Sequence, residues 1–325
     1  MAALQLIKYI LLQITIGPSI ICDLIVFIYF IIHWRKAIIR APQNHVILCL
    51  LIASFIQKST DIIFHLYFLR WTVVLVETYN FCVLWNWLNY SLYCINLHLT
   101  TWCCIERHLF VFHSQIMKNK QYLILFHYIP LIICLLYTPM FYLRFIVFPS
   151  ACTNDWDYHV VYCGGACFSF YDQFWGMFDW LFHYGTPVFI IIFANFILFC
   201  RVIWQKFQQQ RAINWKRQRQ TIIQLLLISC LFLVFGFPSV IVGCIQLLWM
   251  PTFASDVQNN YFFFAGCFIN QFLPFVIISS LPKIVMKLKA FIRQCKRHCC
   301  HSLQIYPALT RTVVREQTFP HNYTN

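Results

Sequence analysis

The sequence predicts an all-α fold: a seven-transmembrane helix bundle followed by a short amphipathic eighth helix. Three observations predict it. Of the 325 residues, 61% are hydrophobic and only 10% are charged, where a soluble domain would carry about 25% charged residues. The apolar residues form long runs, suited to helices and too continuous for the alternating strands of a membrane barrel. The cationic residues gather in alternate loops. Arg35, Lys36 and Arg40, then Arg107, Lys118 and Lys120, then the cluster from Arg201 to Arg219, then the tail from Lys283 onward, hold most of the 24 Lys and Arg. The opposite loops hold Glu77, Asp155, Asp157, Asp172 and Asp256. This asymmetry places the tail in the cytoplasm. An odd number of spans then places the N-terminus outside, in a multi-pass protein of the plasma membrane. The same distribution argues against nucleic acid as the partner of a chain with net charge +14.

Seven spans can be drawn, at about Lys8–His33, His45–Leu69, Phe81–His108, Tyr122–Phe148, Phe178–Trp204, Arg219–Leu248 and Tyr261–Leu281. Each meets the requirement of about 20 residues for crossing a bilayer. The first is too long for the apolar part of a signal peptide and reads as a span. Pro130, Pro139, Pro187, Pro238 and Pro274 fall inside spans, where neighbouring helices can re-satisfy the freed backbone groups. No internal repeat is visible, which weighs against transporters built from duplicated halves. The expected organisation is a receptor domain over 1–294 and a short cytoplasmic tail over 295–325.

The third run opens with Cys82 and closes with Glu106-Arg107-His108. At ~1.5 Å per residue these ends lie roughly 37 Å apart, one at each membrane face. A charged pair at a membrane edge is costly and points to a function. The arrangement resembles rhodopsin-like (class A) G-protein-coupled receptors, in a divergent form similar to invertebrate orphan members. The resemblance covers the first to the seventh span. It rests on the Cys82 to Arg107 interval, on Pro187, Pro238 and Pro274 in the fifth, sixth and seventh spans, and on Asn44 at the start of the second. It implies a heterotrimeric G protein as partner, with Glu106, Arg107 and His108 as the coupling switch and Glu106 holding Arg107 at rest. It also implies an activation core of Leu97, Pro187 and Phe232, together with Pro238 and Pro274.

The chain departs from that family in several places. The sixth span reads Phe235-Gly236-Phe237-Pro238, so Gly236 replaces an aromatic toggle and Phe235 or Phe237 would take its place. The seventh reads Leu273-Pro274-Phe275-Val276-Ile277. Ser54 stands where the second span should carry a carboxylate, and Asp23, facing that slot from the first span, is a candidate replacement. Gln218 stands where an acid would lock Arg107 from the sixth span.

Four cysteines, Cys82, Cys152, Cys163 and Cys167, lie on the outer, oxidising side. They allow three full pairings. The resemblance implies Cys82–Cys167, with Cys152–Cys163 closing a local hairpin.

A ligand pocket is expected between the outer halves of spans three, five, six and seven, and its ligand is an unknown peptide or small molecule. Asn86, Asn89 and Tyr93 share one face of the third span. Asp179 and His183, at i and i+4 on the fifth, would meet a polar or cationic group or else satisfy one another between helices. Asp61 and His65 repeat that spacing on the second. Phe237 would line the pocket from the sixth. Asn89 stands where the family's amine receptors carry an aspartate, which argues against their salt bridge. Cys267 stands where opsins carry the retinal lysine. Lys58 and Asp61, at i and i+3, read as a structural ion pair. Cys295, Cys299 and Cys300 follow a basic amphipathic stretch and read as palmitoylation sites on the lipid bilayer. No phosphate loop, catalytic triad or zinc spacing appears, so no enzyme activity, cofactor or metal is expected.

A seven-span ligand-gated chemoreceptor channel is the alternative of another class, and a transporter the third. Orientation separates the first two, because such channels carry the N-terminus inside. Epitope tags at both ends test this: the N-terminal tag should stain in intact cells and the C-terminal tag only after permeabilisation.

Overall fold

An apolar chain that leaves water must satisfy its backbone N–H and C=O groups internally, which favours helices throughout. The computed structural model describes residues 2–39, 43–112, 119–149, 152–207, 215–250 and 252–280, and no strand occurs among them. The long helices are α1 (Ala2–Ile32), α2 (Asn44–Trp71), α3 (Tyr79–Phe112), α4 (Lys120–Val147), α5 (Gln173–Arg201), α6 (Trp215–Phe235), α7 (Phe237–Leu248) and α8 (Ser255–Ser279). Five of them, α1, α2, α4, α5 and α8, are long and apolar enough to cross a membrane, and α6 with α7 makes a sixth if the bent pair is one span. Many of their outward residues are large and apolar, such as Ile14, Ile31, Ile132, Phe193 and Phe196. Such a surface suits lipid rather than water.

The boundaries follow local chemistry. α2 ends where Thr72 turns left-handed (φ 59°) and returns its N–H to the Phe68 carbonyl. The Asn119 side chain caps α4 by accepting from Gln121 N–H, and Asp172 caps α5 by accepting from Trp175 N–H. The break between α6 and α7 falls at Gly236-Phe237-Pro238 and bends the rod by 46°. Pro238 has no N–H to give and its ring collides with the preceding turn. Widened π turns interrupt α2 at Lys58–Ile62 and α5 at Asp179–Gly185. Single π turns are frequent at functional positions.

The helix α3 is the axis of the bundle. It packs against α2, α4, α5 and α6, while α8 closes the ring against α1, α2 and α6. Although 34 residues long, α3 is not among the helices apolar enough to pass as spans. Asn86, Asn96, Thr100, Thr101, Glu106 and Arg107 are all buried on it, so its polar side chains face other helices.

The disulfides correct the expected pairing. Cys82 bonds Cys163, and Cys152 bonds Cys167. The reason lies in the loop. Tyr162 and Cys163 are both left-handed (φ 56° and 53°) within a short turn over Val161–Gly164. That turn brings the Tyr162 carbonyl to Asn86 on α3, 2.7 Å away, and carries Cys163 to Cys82. Asn154 meanwhile donates to the Ile146 carbonyl at the end of α4 and accepts from Cys167 N–H, closing the hairpin that joins Cys152 to Cys167. All four cysteines are bridged, with partners exchanged.

The expected division at 294/295 lies outside the described residues. Met1–Ser280 forms one compact unit. Residues 281–325, with the expected eighth helix and Cys295, Cys299 and Cys300, lie outside the described residues. One contact in the bundle leaves no room for a side chain. A Cβ built on Gly243 of α7 would overlap the Trp180 indole of α5. Gly243→Ala should destabilise the purified protein by about 1–3 kcal/mol through overpacking, read as a lower melting temperature in detergent. Trp180→Leu in the same chain should restore most of the loss.

Candidate functional site

The Cys82 end of the bundle opens into a cavity of about 680 Å³, within the usual size range of small-molecule sites. Its floor is polar. Asp61 and His65 come from α2, Asn89 and Tyr93 from α3, and Asn270 from α8. Its wall is aromatic, with Trp180 and Tyr184 from α5, Phe235 from α6 and Phe263 and Phe264 from α8. The loop after α4 supplies the roof through His159, Val161 and Tyr162. Burial beside Asp61 pushes the Tyr162 phenol well above its ordinary range, so it stays neutral as a donor. The disulfide to Cys82 and the bond from Asn86 hold this roof on α3.

Several expected pocket residues are placed differently. Asn89 and Tyr93 line the cavity. Asn86 does not; its side-chain N–H groups donate to the Cys82 and Tyr162 carbonyls. Asp179 and His183 turn the other way, towards α4. The Tyr142 hydroxyl donates to Asp179 at 2.6 Å, His183 Nδ1 meets the same carboxylate at 2.6 Å, and Tyr137 lies 3.2 Å from His183 Nε2. The π turn of α5 rotates both side chains out of the cavity and puts Trp180 and Tyr184 in their place. Phe237 is likewise absent from the lining, where Phe235 stands instead, stacked on Phe272. The sequence showed no period that separates these choices, because a π turn shifts the helical register by one residue.

Lys58 also departs from expectation. It is fully buried and forms an ion pair with Asp23 of α1, with a further bond to Ser19 at 3.1 Å. Asp61 instead accepts from Trp85 Nε1 at 2.8 Å. Ser54, which occupies the slot that Asp23 is expected to face, donates to the Asn270 carbonyl. A charge on α1 is thus neutralised by a charge on α2, rather than two neighbours on α2 pairing along one face.

At the other end of α3, Glu106, Arg107 and His127 are buried. Glu106 contacts His127 of α4 directly, and His127 Nε2 lies 2.9 Å from His45 Nδ1 of α2. The second nitrogen of His45 reaches the Ile38 carbonyl at 3.1 Å and must donate to it. A neutral His45 then offers Nδ1 as the acceptor for His127 Nε2–H. His127 and His45 escaped the sequence reading, although a histidine within an apolar run is itself a signal. Arg107 has the Cys103 thiol beside it. His108 reaches the Ala194 carbonyl of α5 at 2.8 Å.

Between the two ends, the expected activation core is buried. Leu97 and Phe232 have almost no exposure. Thr101 links Leu97 to Pro187 by placing its hydroxyl 2.9 Å from one carbonyl and 3.4 Å from the other. Pro238 opens α7 and Pro274 lies inside α8. Gln218 falls outside the described side chains. No protein-family model matches the chain, and no curated protein is significantly similar to it. What the residues define is a helical bundle with apolar, membrane-length helices, a roofed cavity at one end and a buried acid-arginine pair at the other.

The Asp23–Lys58 pair gives a direct test. Asp23→Ala or Lys58→Ala alone strands a buried charge and should cost about 3–5 kcal/mol. Asp23→Leu combined with Lys58→Met should recover most of that. Thermal unfolding in detergent reads both, and a single variant as stable as the parent would remove the pair from the fold's supports.

Proposed function

We propose that the chain is a seven-span, rhodopsin-like receptor that carries an extracellular signal to a heterotrimeric G protein. The observation that carries this reading is the helix α3. It is 34 residues long, which corresponds to about 51 Å, more than the ~30 Å hydrocarbon core. One helix therefore joins the cavity at Asn89 and Tyr93 to the buried pair Glu106-Arg107. The reading takes α3 as a span, and α6 with α7 as one bent rod, which makes seven. The cavity end is outside and the Arg107 end is inside, following the charge asymmetry of the loops.

A ligand in the cavity touches Phe235 and Gly236 beside the break between α6 and α7. It also touches Tyr93, whose hydroxyl sits about a side-chain contact away from Gly236. Ligand contacts that favour one bend over another shift the equilibrium of α6 relative to α3. Arg107 offers a rigid fork of donors to the carbonyls of an inner partner. In this reading Glu106 holds Arg107 at rest while also contacting His127, and the sequence puts neutral Gln218 where an acid would lock the arginine from the sixth span. The resting state is weakly held and signals without ligand.

G-protein recruitment in cells, normalised to surface expression, tests the proposal. The parent chain should recruit a heterotrimer without added ligand. Arg107→Ala should bring that to background with surface expression preserved. Equal recruitment by parent and Arg107→Ala, or none by the parent with any G-protein subtype, counts against the reading.

A further inference from the structure

We infer that the cavity takes a protonated amine on an aromatic or apolar body, held through Asp61 and His65 of α2. The inference rests on the receptor reading only in taking the cavity as a ligand site. It differs from an amine site on α3, because the α3 position facing the cavity is Asn89.

Asp61 is the only carboxylate lining the cavity among the described residues. It is buried and accepts hydrogen bonds from Trp85 and Gln57, both neutral. The cation three residues before it, Lys58, is already committed to Asp23. A carboxylate has room for about four hydrogen bonds, so Asp61 keeps acceptor capacity towards the cavity. His65 lines the same floor at 6% exposure, and its Nδ1 has no hydrogen-bond partner inside the protein. The Asp61 carboxylate, lining the cavity beside His65, matches a group with N–H donors. A primary or secondary ammonium provides them, and in an enclosed apolar site its attraction to a carboxylate is far stronger than in water.

The surroundings fit the same ligand. Tyr162 and Phe264 flank His65, with ring centroids at 5.7 and 6.5 Å, and aromatic faces attract cations. The cavity's own cation, Lys8, is spent on the rings of Tyr261 and Phe264, at 5.9 and 5.4 Å from their centroids. An anionic ligand would have to draw Lys8 away from these faces while its negative charge approached Asp61.

Binding to the full chain in detergent micelles tests the inference, using phenethylamine, tryptamine and N-benzyltryptamine as probes. N-acetyltryptamine and indole-3-propionic acid are the neutral and anionic controls. At least one amine should bind saturably in calorimetry and raise the melting temperature, while both controls should not. Asp61→Asn keeps an acceptor for Trp85 and should weaken the amine by about 30-fold or more, the loss expected when one partner of a buried charge pair is removed. His65→Phe should weaken it less, and Lys8→Ala should leave it within about twofold, since Lys8 sits at a partly open edge. If Asp61→Asn melts below the parent, the comparison of amine with N-acetylated amine on the parent alone decides. The inference is overturned if no amine binds, if the neutral or anionic control binds as tightly, or if a folded Asp61→Asn binds the amine like the parent. No G protein is present in this assay, so its failure is separate from any failure of the Arg107 test.

Discussion

Asn96 donates to the Gln57 side-chain carbonyl at 3.0 Å, Asn270 donates to the same oxygen at 2.8 Å, and Asn96 also reaches Asn270 at 3.2 Å. These three amides come from α2, α3 and α8, and the rest of the bundle is arranged around them. Inside a shell of apolar helices each amide has no water to turn to, and a missing partner would cost the full desolvation penalty. The triad therefore fixes the depth and rotation of three helices at once. Thr15 of α1 bonds Gln271, the neighbour of Asn270, and extends the network to a fourth helix.

The same constraint explains why α3, which is not among the helices apolar enough to pass as spans, lies at the centre. Polar groups on an outer helix would face lipid, whereas on the axis they face other helices, where Asn96 and Glu106 find partners. Asp23 meets Lys58, Glu106 meets His127, and Asp179 meets Tyr142 and His183. Each pair joins two different helices except Asp179–His183, which shares the π turn of α5. Shape comes from the apolar surface, and register comes from these polar contacts.

Such pairing leaves the cavity with a small number of polar groups not fully used. Asp61, His65, Asn89 and Tyr93 are positioned by α2 and α3, and the roof is fixed by the bridge from Cys82 to Cys163. The hinge at Gly236–Pro238 lies at the wall of the same cavity. Polar side chains and a bend share one surface, so a contact made at one bears on the other.

The sequence by itself determined the all-helical fold, the membrane-length apolar runs, the place of Pro238 inside one of them and the four cysteines that the disulfides join. These depend on composition, run length and the missing N–H of proline, all of them local properties. It also located Asn89, Tyr93, Asp61 and His65, which share helix faces at ordinary spacing. Only the tertiary structure decided which cysteines pair, because two left-handed residues turn Cys163 back to Cys82. It decided that Lys58 belongs to Asp23, since buried charges choose partners across helices rather than along one. It also decided that Asp179 and His183 leave the cavity to Trp180 and Tyr184, because a π turn rotates the face that ordinary helical spacing would present.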